Sequence, residues 1–316
     1  MTSSIHHRHF TAVVFIGLAF ILSVYITRSF AQERRSSAVA QPTPLVTRTG
    51  KSGPSDAGST RERVVETSAG RFAAAASANA QLRTSLAWKF GKAQTGWEIY
   101  VPLIAETVGT DASADSPAFA ASVARWQAKN AMSPSGIVDA DTIDALVKFW
   151  QARRRSDSAA SYESDIVAVP IADFYDPTRS PDLLKLDRET YTAYKRMIAA
   201  ATRDLARELR LTRTGELAPE EKFLKIVSAY RSPEYQEQLR RRSPGSGRIA
   251  LAKNSVHFTG RAIDIYVGGE PTITRDDNRR VQVETPVYKW LVKNAHKFGF
   301  YPYFYEPWHW EYVPGK

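Results

Sequence analysis

The sequence predicts an α+β domain on an antiparallel sheet with flanking helices, preceded by a small all-α module. Two observations lead there. The C-terminal half alternates strand-like and helix-like stretches in mixed order. Ahead of it, two capped amphipathic helices flank a glycine turn.

The chain begins with a polar, basic segment, "MTSSIHHRHF", followed by an unbroken apolar run from Thr11 to Thr27. About 17 residues is long for the apolar part of a signal peptide and marginal for a membrane span. Ser29-Phe30-Ala31 offers small residues where a signal peptidase would cut, whereas Arg28 argues against efficient cleavage. Arg34 and Arg35, on the side to be exported, run against the positive-inside tendency. Residues 1–31 are therefore expected to be a signal peptide or a membrane anchor. Either way the chain is expected to be exported, periplasmic or cell-wall-associated, with the inner membrane as a possible partner through this segment. Residues 32–80 are rich in Ala, Ser, Thr, Arg, Gly and Pro and poor in aromatics, which predicts a disordered linker. Trp88, Phe90, Trp97 and Tyr100 mark the expected onset of folded chain.

The module is placed at residues 82–153. Phe119, Val123 and Trp126 recur at helical spacing after Ser116-Pro117, a cap followed by a first-turn proline. Ile143, Leu146, Val147 and Trp150 do the same after Asp139 or Asp141 as cap. "SPSGIV", Ser133 to Val138, is the turn between them.

A polar stretch from Gln151 to Asp165 leads into the C-terminal domain, residues 165–316. A helix is expected from about Arg188 to Leu209, then a strand in "FLKIVSAYRS" and a helix carrying Tyr235 and Leu239. After a Pro/Gly/Ser loop at Ser243 to Gly247, "SVHFTGRAIDI" falls within two expected strands. "VYKWLVKNAHKFGF" reads as a helix with Val287, Trp290, Leu291 and Ala295 on its apolar stripe and Gly299 as its C-cap. The last strand holds "PWHWEY".

Composition narrows the chemistry. The 316 residues are 43% hydrophobic, enough for a sizeable core, and carry a formal net charge of +10, which favours an anionic partner. Export makes nucleic acid an unsuitable partner, and the "RRR" runs at Arg153–Arg155 and Arg240–Arg242 read as solvated helix ends. The absence of cysteine excludes disulfides, thiolate metal sites and cysteine nucleophiles. Any metal must then be held by His and carboxylate groups.

Of the six histidines, His6, His7 and His9 belong to the leader, and His296 is expected to pack structurally in its helix. His257 and His309 have more telling neighbours. In "RAIDIYV" read as a strand, Asp264 is an acid in an otherwise apolar segment, so its burial requires a cation or strong donors. The "FTG" turn can fold His257 back onto it. In the last strand His309 and Glu311 share one face. Two imidazoles and one carboxylate with an open fourth position form a catalytic type of zinc site. Pro307 disturbs the alternation before His309, so Glu306 can turn toward that site and act as general base.

These residues bear a resemblance to a known family. Ser255-x-His257-x-x-Gly260-x-Ala262-x-Asp264, followed by Glu306-x-Trp308-His309, resembles the signature of the VanY kind of zinc D,D-carboxypeptidases. "SAYRSPEYQ", Ser228 to Gln236, resembles a third segment of that family, with Ala229 where many relatives have Gly. The resemblance implies the fold shared with D-Ala-D-Ala dipeptidases, lysostaphin-type enzymes and the hedgehog signalling domain. It implies Zn2+ bound by His257, Asp264 and His309, with Glu306 as base and Arg231 stabilising the oxyanion. Ser255 and Gln236 would bind the substrate peptide. The implied reaction is removal of the terminal D-Ala from peptidoglycan stem peptides, and the chain is expected to be a monomer. Related enzymes cut internal stem bonds with the same machinery, and hedgehog-like relatives show that the fold can also serve without catalysis. "FAASVARWQAKNAMSPSGIVDADTIDAL" is similar to the peptidoglycan-binding repeat of wall hydrolases, and a helical spacer remains the other reading of it.

Overall fold

A computed structural model describes residues 68–154, 165–242 and 255–315. The apolar run Thr11–Thr27, most of the expected linker, and the Ser243–Gly247 loop lie outside these residues. Among the described residues no helix is long and apolar enough to cross a membrane.

The chain is already helical before residue 80, which corrects the expected linker boundary. Helices α1 (Ser68–Arg71) and α2 (Ala73–Ser85) precede a hairpin of β1 (Ala87–Phe90) and β2 (Lys92–Thr95). Alanine has the best helix propensity, and Ala75 and Ala76 are small enough to bury where α2 packs on another helix. Asn79 is wholly buried, accepting from the Val138 N–H at 2.8 Å and donating to the Gly136 carbonyl at 2.9 Å. That pair of bonds ties α2 to the turn between the two expected helices. The module is thus not all-α, because the hairpin belongs to it.

The two expected helices are α4 (Pro117–Lys129) and α5 (Ala140–Arg153), after the short α3 (Val101–Val108). Ser116 caps α4 by accepting from the Phe119 N–H, and Asp139 caps α5 by accepting from the Thr142 N–H. Phe119, Val123, Ile143 and Leu146 are buried on their facing sides.

In the C-terminal domain, β3 (Ile166–Ala168) pairs with β4 (Lys185–Asp187), and α6 (Arg188–Asp204) follows with Asp187 as its cap. Helix α6 ends before the expected Leu209, and the next residues form turns. The main sheet is antiparallel, in the order β5 (Ile226–Ser228), β6 (Ala262–Ile265), β8 (His309–Tyr312), β7 (Phe300–Pro302). Helix α7 (Pro233–Arg242) follows β5, while α8 (Asp276–Glu284) and α9 (Pro286–Asn294) lie between β6 and β7. Gly299 ends the turn after α9 in the left-handed conformation, as its position predicts.

"SVHFTGRAIDI" is a tight helical turn plus one strand rather than two strands. Ser255 accepts the His257 N–H and starts a 3-10 turn at Val256–Thr259, which short-range bonding favours over an extended ladder.

One apolar core joins module and sheet. The ring of Phe304, in the loop before β8, lies 4.7 Å from Phe90, 5.6 Å from Tyr100 and 5.7 Å from Trp150. Beside it the nearly fully buried Arg279 donates to Tyr100 Oη at 2.9 Å and to the Tyr305 carbonyl at 3.2 Å. The helical module therefore backs the loop that leads to Glu306.

Candidate metal centre

The sheet register builds the site. β6 and β8 pair Asp264 with His309 directly, placing carboxylate and imidazole side by side at the sheet centre. His257 arrives from the 3-10 turn, whose end at Gly260 has φ +65°. A Cβ on Gly260 would sit 2.7 Å from Ile166 Cδ1 and 2.8 Å from the Asp187 backbone nitrogen. Only glycine lets the chain double back this close to β4.

His257, Asp264 and His309 are buried, and one ligand atom from each lies within 4.8 Å of the others. Asp264 Oδ1 is 3.0 Å from His309 Nδ1, and Oδ2 is 3.5 Å from His257 Nε2. The rings stand nearly perpendicular, 72° apart, with centroids 5.1 Å apart. Each imidazole is also held from behind. His257 Nδ1 meets the Ala229 carbonyl at 2.8 Å, and His309 Nε2 meets Glu311 Oε1 at 3.2 Å. Outer partners of this kind fix ring orientation and tautomer, leaving His257 Nε2 and His309 Nδ1 directed at one point.

Electrostatics follow from burial against neighbouring charge. Burial alone would raise Asp264, but the charges and hydrogen bonds of His257 and His309 outweigh it and hold the carboxyl well below its usual range. Burial pulls His257 down, opposed by Asp264. It also disfavours charge on His309, yet bonds to Asp264 and Glu311 prevail and lift that imidazole to about 9. Glu306 behaves in the opposite way. Burial pushes it up to about 7, with His309 opposing and Asp264 reinforcing the rise.

Glu306 stands on a tight turn, its N–H donating to the Tyr303 carbonyl at 3.0 Å while its own carbonyl accepts the His309 N–H at 2.9 Å. This is the break in alternation expected at Pro307. Its Oε1 is buried without a hydrogen-bond partner among the described residues. A buried oxygen left unmatched is costly unless something else is meant to meet it.

Arg231 follows β5 on the same side, its N–H donating to the His257 carbonyl at 3.2 Å. Burial lowers its guanidinium, and the charges of Asp264, Tyr235 and Glu306 act against that fall. Ser255 is buried, and its Oγ accepts the His257 N–H at 3.3 Å. Gln236 lies on α7, and its side chain is outside the described residues. Arg261 turns away from the centre, within 3.5 Å of Asp187 and 3.4 Å of Glu189. His296 is also apart, lining a separate cavity with Glu106 and Arg153.

Two arginines near the centre escape sequence reasoning. Arg179 donates to the Val227 carbonyl at 2.7 Å on β5, close enough for Asp264 and Arg231 to act on its charge. Arg154, expected to be a solvated helix end, instead lies largely buried against Glu311. The correction has a simple cause: its partner is 157 positions away, beyond any local pattern. The placement of Glu311 on the face of His309 was the available signal.

The donor set suits a metal ion. Two imidazoles and one carboxylate converge with the outer partners already in place, and the unpartnered Glu306 oxygen lies alongside.

Residues 183–315 match the family model of VanY, D-alanyl-D-alanine carboxypeptidase. Among solved structures, the LdcB LD-carboxypeptidase is 24% identical, with 49% of this chain and 71% of that chain covered and a TM-score of 0.35. The vancomycin resistance D,D-pentapeptidase VanY of a VanB-type cassette, solved as a mutant in complex with Zn(II), is 19% identical. The coverage is 50% of this chain and 88% of that chain, with a TM-score of 0.27. None of the curated proteins compared with the chain matches it.

Proposed function

We propose that this chain, whose residues 183–315 match the family model of VanY, is a zinc carboxypeptidase removing the terminal D-alanine from peptidoglycan stem peptides ending in D-Ala-D-Ala. The observation that carries this reading is the convergence of His257, Asp264 and His309 beside the unpartnered oxygen of Glu306. A protein that only binds metal needs neither Glu306 nor Arg231 at that point.

His257 Nε2, His309 Nδ1 and the Asp264 carboxylate would hold the ion. Zinc bound there supplies a Lewis acid for the scissile carbonyl and eases deprotonation of a water. Glu306 takes a proton from the water that attacks the carbonyl carbon. A carboxylate placed there can both accept that proton and return it. As the C–N bond breaks, Glu306 passes the proton to the leaving amine of D-alanine. The Arg231 guanidinium faces the negative charge that develops on the carbonyl oxygen. Ser255 and Gln236 bind the peptide backbone. Stem peptides are anionic, which suits the net charge of +10. The function places the enzyme outside the cytoplasm, where the wall is built.

An exopeptidase needs the free terminal carboxylate. The test offers a pentapeptide stem beside the same peptide with its C-terminus amidated, with and without chelator, and identifies products by mass spectrometry. Chelator-sensitive loss of D-alanine from the free acid alone is expected. Equal cleavage of both, or an internal cut, would make the enzyme an endopeptidase, and no cleavage of either would favour a non-catalytic wall-binding protein.

A further inference from the structure

Arg154 is the C-cap residue of α5, with φ −78° and ψ 174°, so the chain leaves the helix extended and its side chain turns toward the sheet. Its Nε donates to Glu311 Oε1 at 3.1 Å, and Nη2 donates to the same oxygen. Nη1 donates to Gln151 Oε1 at 2.6 Å, which fixes the remaining edge of the guanidinium to the helix it came from. The planar group lies over the Tyr303 ring, 4.1 Å from its centroid. The Arg154 side chain is 12% exposed and that of Glu311 is fully buried.

Glu311 Oε1 is also the oxygen that faces His309 Nε2. One buried carboxylate oxygen thus joins an arginine of the helical module to an imidazole of the metal centre. Tyr303 makes a second link. Its ring packs edge-on against His309 at 6.1 Å, its N–H donates to the His309 carbonyl at 3.0 Å, and its carbonyl accepts the Glu306 N–H. Arg154 therefore bears on the back of one ligand and on the turn that presents the base.

We infer that Arg154 is a positioning residue: by pinning Glu311 behind His309 it aims the imidazole's Nδ1 at His257 and Asp264, so the last helix of the module completes the metal centre of the peptidase domain. The physical reason is the charge balance of a buried carboxylate. Glu311 has no exposure to water, and losing the two guanidinium donors removes the cation that balances its charge and loosens its hold on the position behind His309. A lysine could supply charge but not two parallel donors on one oxygen.

The inference rests on the metal-centre reading, and the experiment separates the two. Zinc affinity of the full chain is measured by competition with a chromogenic chelator, and ligand geometry by the absorption spectrum of the cobalt(II) form. Arg154→Ala and Glu311→Ala should each weaken zinc binding about 10- to 100-fold, as loss of an outer partner typically does. Both should shift the cobalt bands. The double variant should bind no more weakly than Glu311→Ala alone, because Arg154 acts through that carboxylate. Arg154→Lys, the variant least prone to misfold, should fall between wild type and Arg154→Ala. Wild-type affinity and an unshifted cobalt spectrum in Arg154→Ala or Arg154→Lys would overturn the inference, as would losses that simply add in the double variant. Failure of the wild type to bind either metal would instead overturn the metal-centre reading.

Discussion

Glu306→Gln removes a titration that the fold makes expensive, and the size of the effect can be worked out in advance. The ordinary carboxyl value is 4.5, and burial lifts Glu306 to about 7 in the folded chain. At roughly 1.36 kcal/mol per pH unit, that gap corresponds to about 3 kcal/mol. Between those two pH values the unfolded chain has released the proton while the folded chain keeps it. Stability therefore falls as pH rises through this window, is fully present below about 4.5 and is lost above about 7. Glutamine has nothing to titrate. In chelator-treated protein, the stability of Glu306→Gln relative to wild type should increase by about 2–3 kcal/mol from pH 5 to pH 8. Any fixed cost of burying the amide cancels in that comparison. Urea unfolding at both pH values, with a chelator throughout, measures it. With saturating zinc the pH-dependent difference should shrink, since a nearby cation favours the carboxylate. If wild type and variant keep a constant difference from pH 5 to pH 8, burial does not hold Glu306 protonated in the metal-free chain, and this account of its electrostatics fails.

Arg231→Ala should lower kcat by about two to three orders of magnitude, in the range for loss of an oxyanion donor, without changing zinc content. A raised KM with intact kcat, read from steady-state kinetics, would show a ground-state contact instead. Gly260→Ala should destabilise the chain by about 2–3 kcal/mol in urea unfolding, since it combines a left-handed backbone with a Cβ 2.8 Å from the Asp187 nitrogen. An unchanged midpoint would refute that account of the turn.

Parts of this molecule were legible in the sequence for local reasons. Caps and apolar spacing mark α4 and α5 because both are read within one or two turns of helix. Asp264 stands out because an acid in an apolar strand calls for a partner, and the register opposite His309 supplies one. Less local features were missed. Helix α2 has no apolar stripe for periodicity to detect; alanine propensity, two small buried residues and the two bonds of Asn79 hold it in place. The β1–β2 hairpin was hidden in a segment valued only for its aromatics, although Gly91, at φ +66°, sits where the turn needs it. Arg154 looked like part of a solvated charge run because nothing near it in sequence shows that a buried Glu311 is waiting. The metal-ligating pattern was compressed into short stretches, whereas the contacts that orient it come from across the fold.

The most direct test of the central claim is the metal content of the purified full chain, measured by inductively coupled plasma mass spectrometry. The wild type should hold about one zinc per chain, Glu306→Gln should keep it, and the His257→Ala/His309→Ala double variant should lose it. Full zinc occupancy in the folded double variant would contradict the assignment of the metal centre to His257, Asp264 and His309.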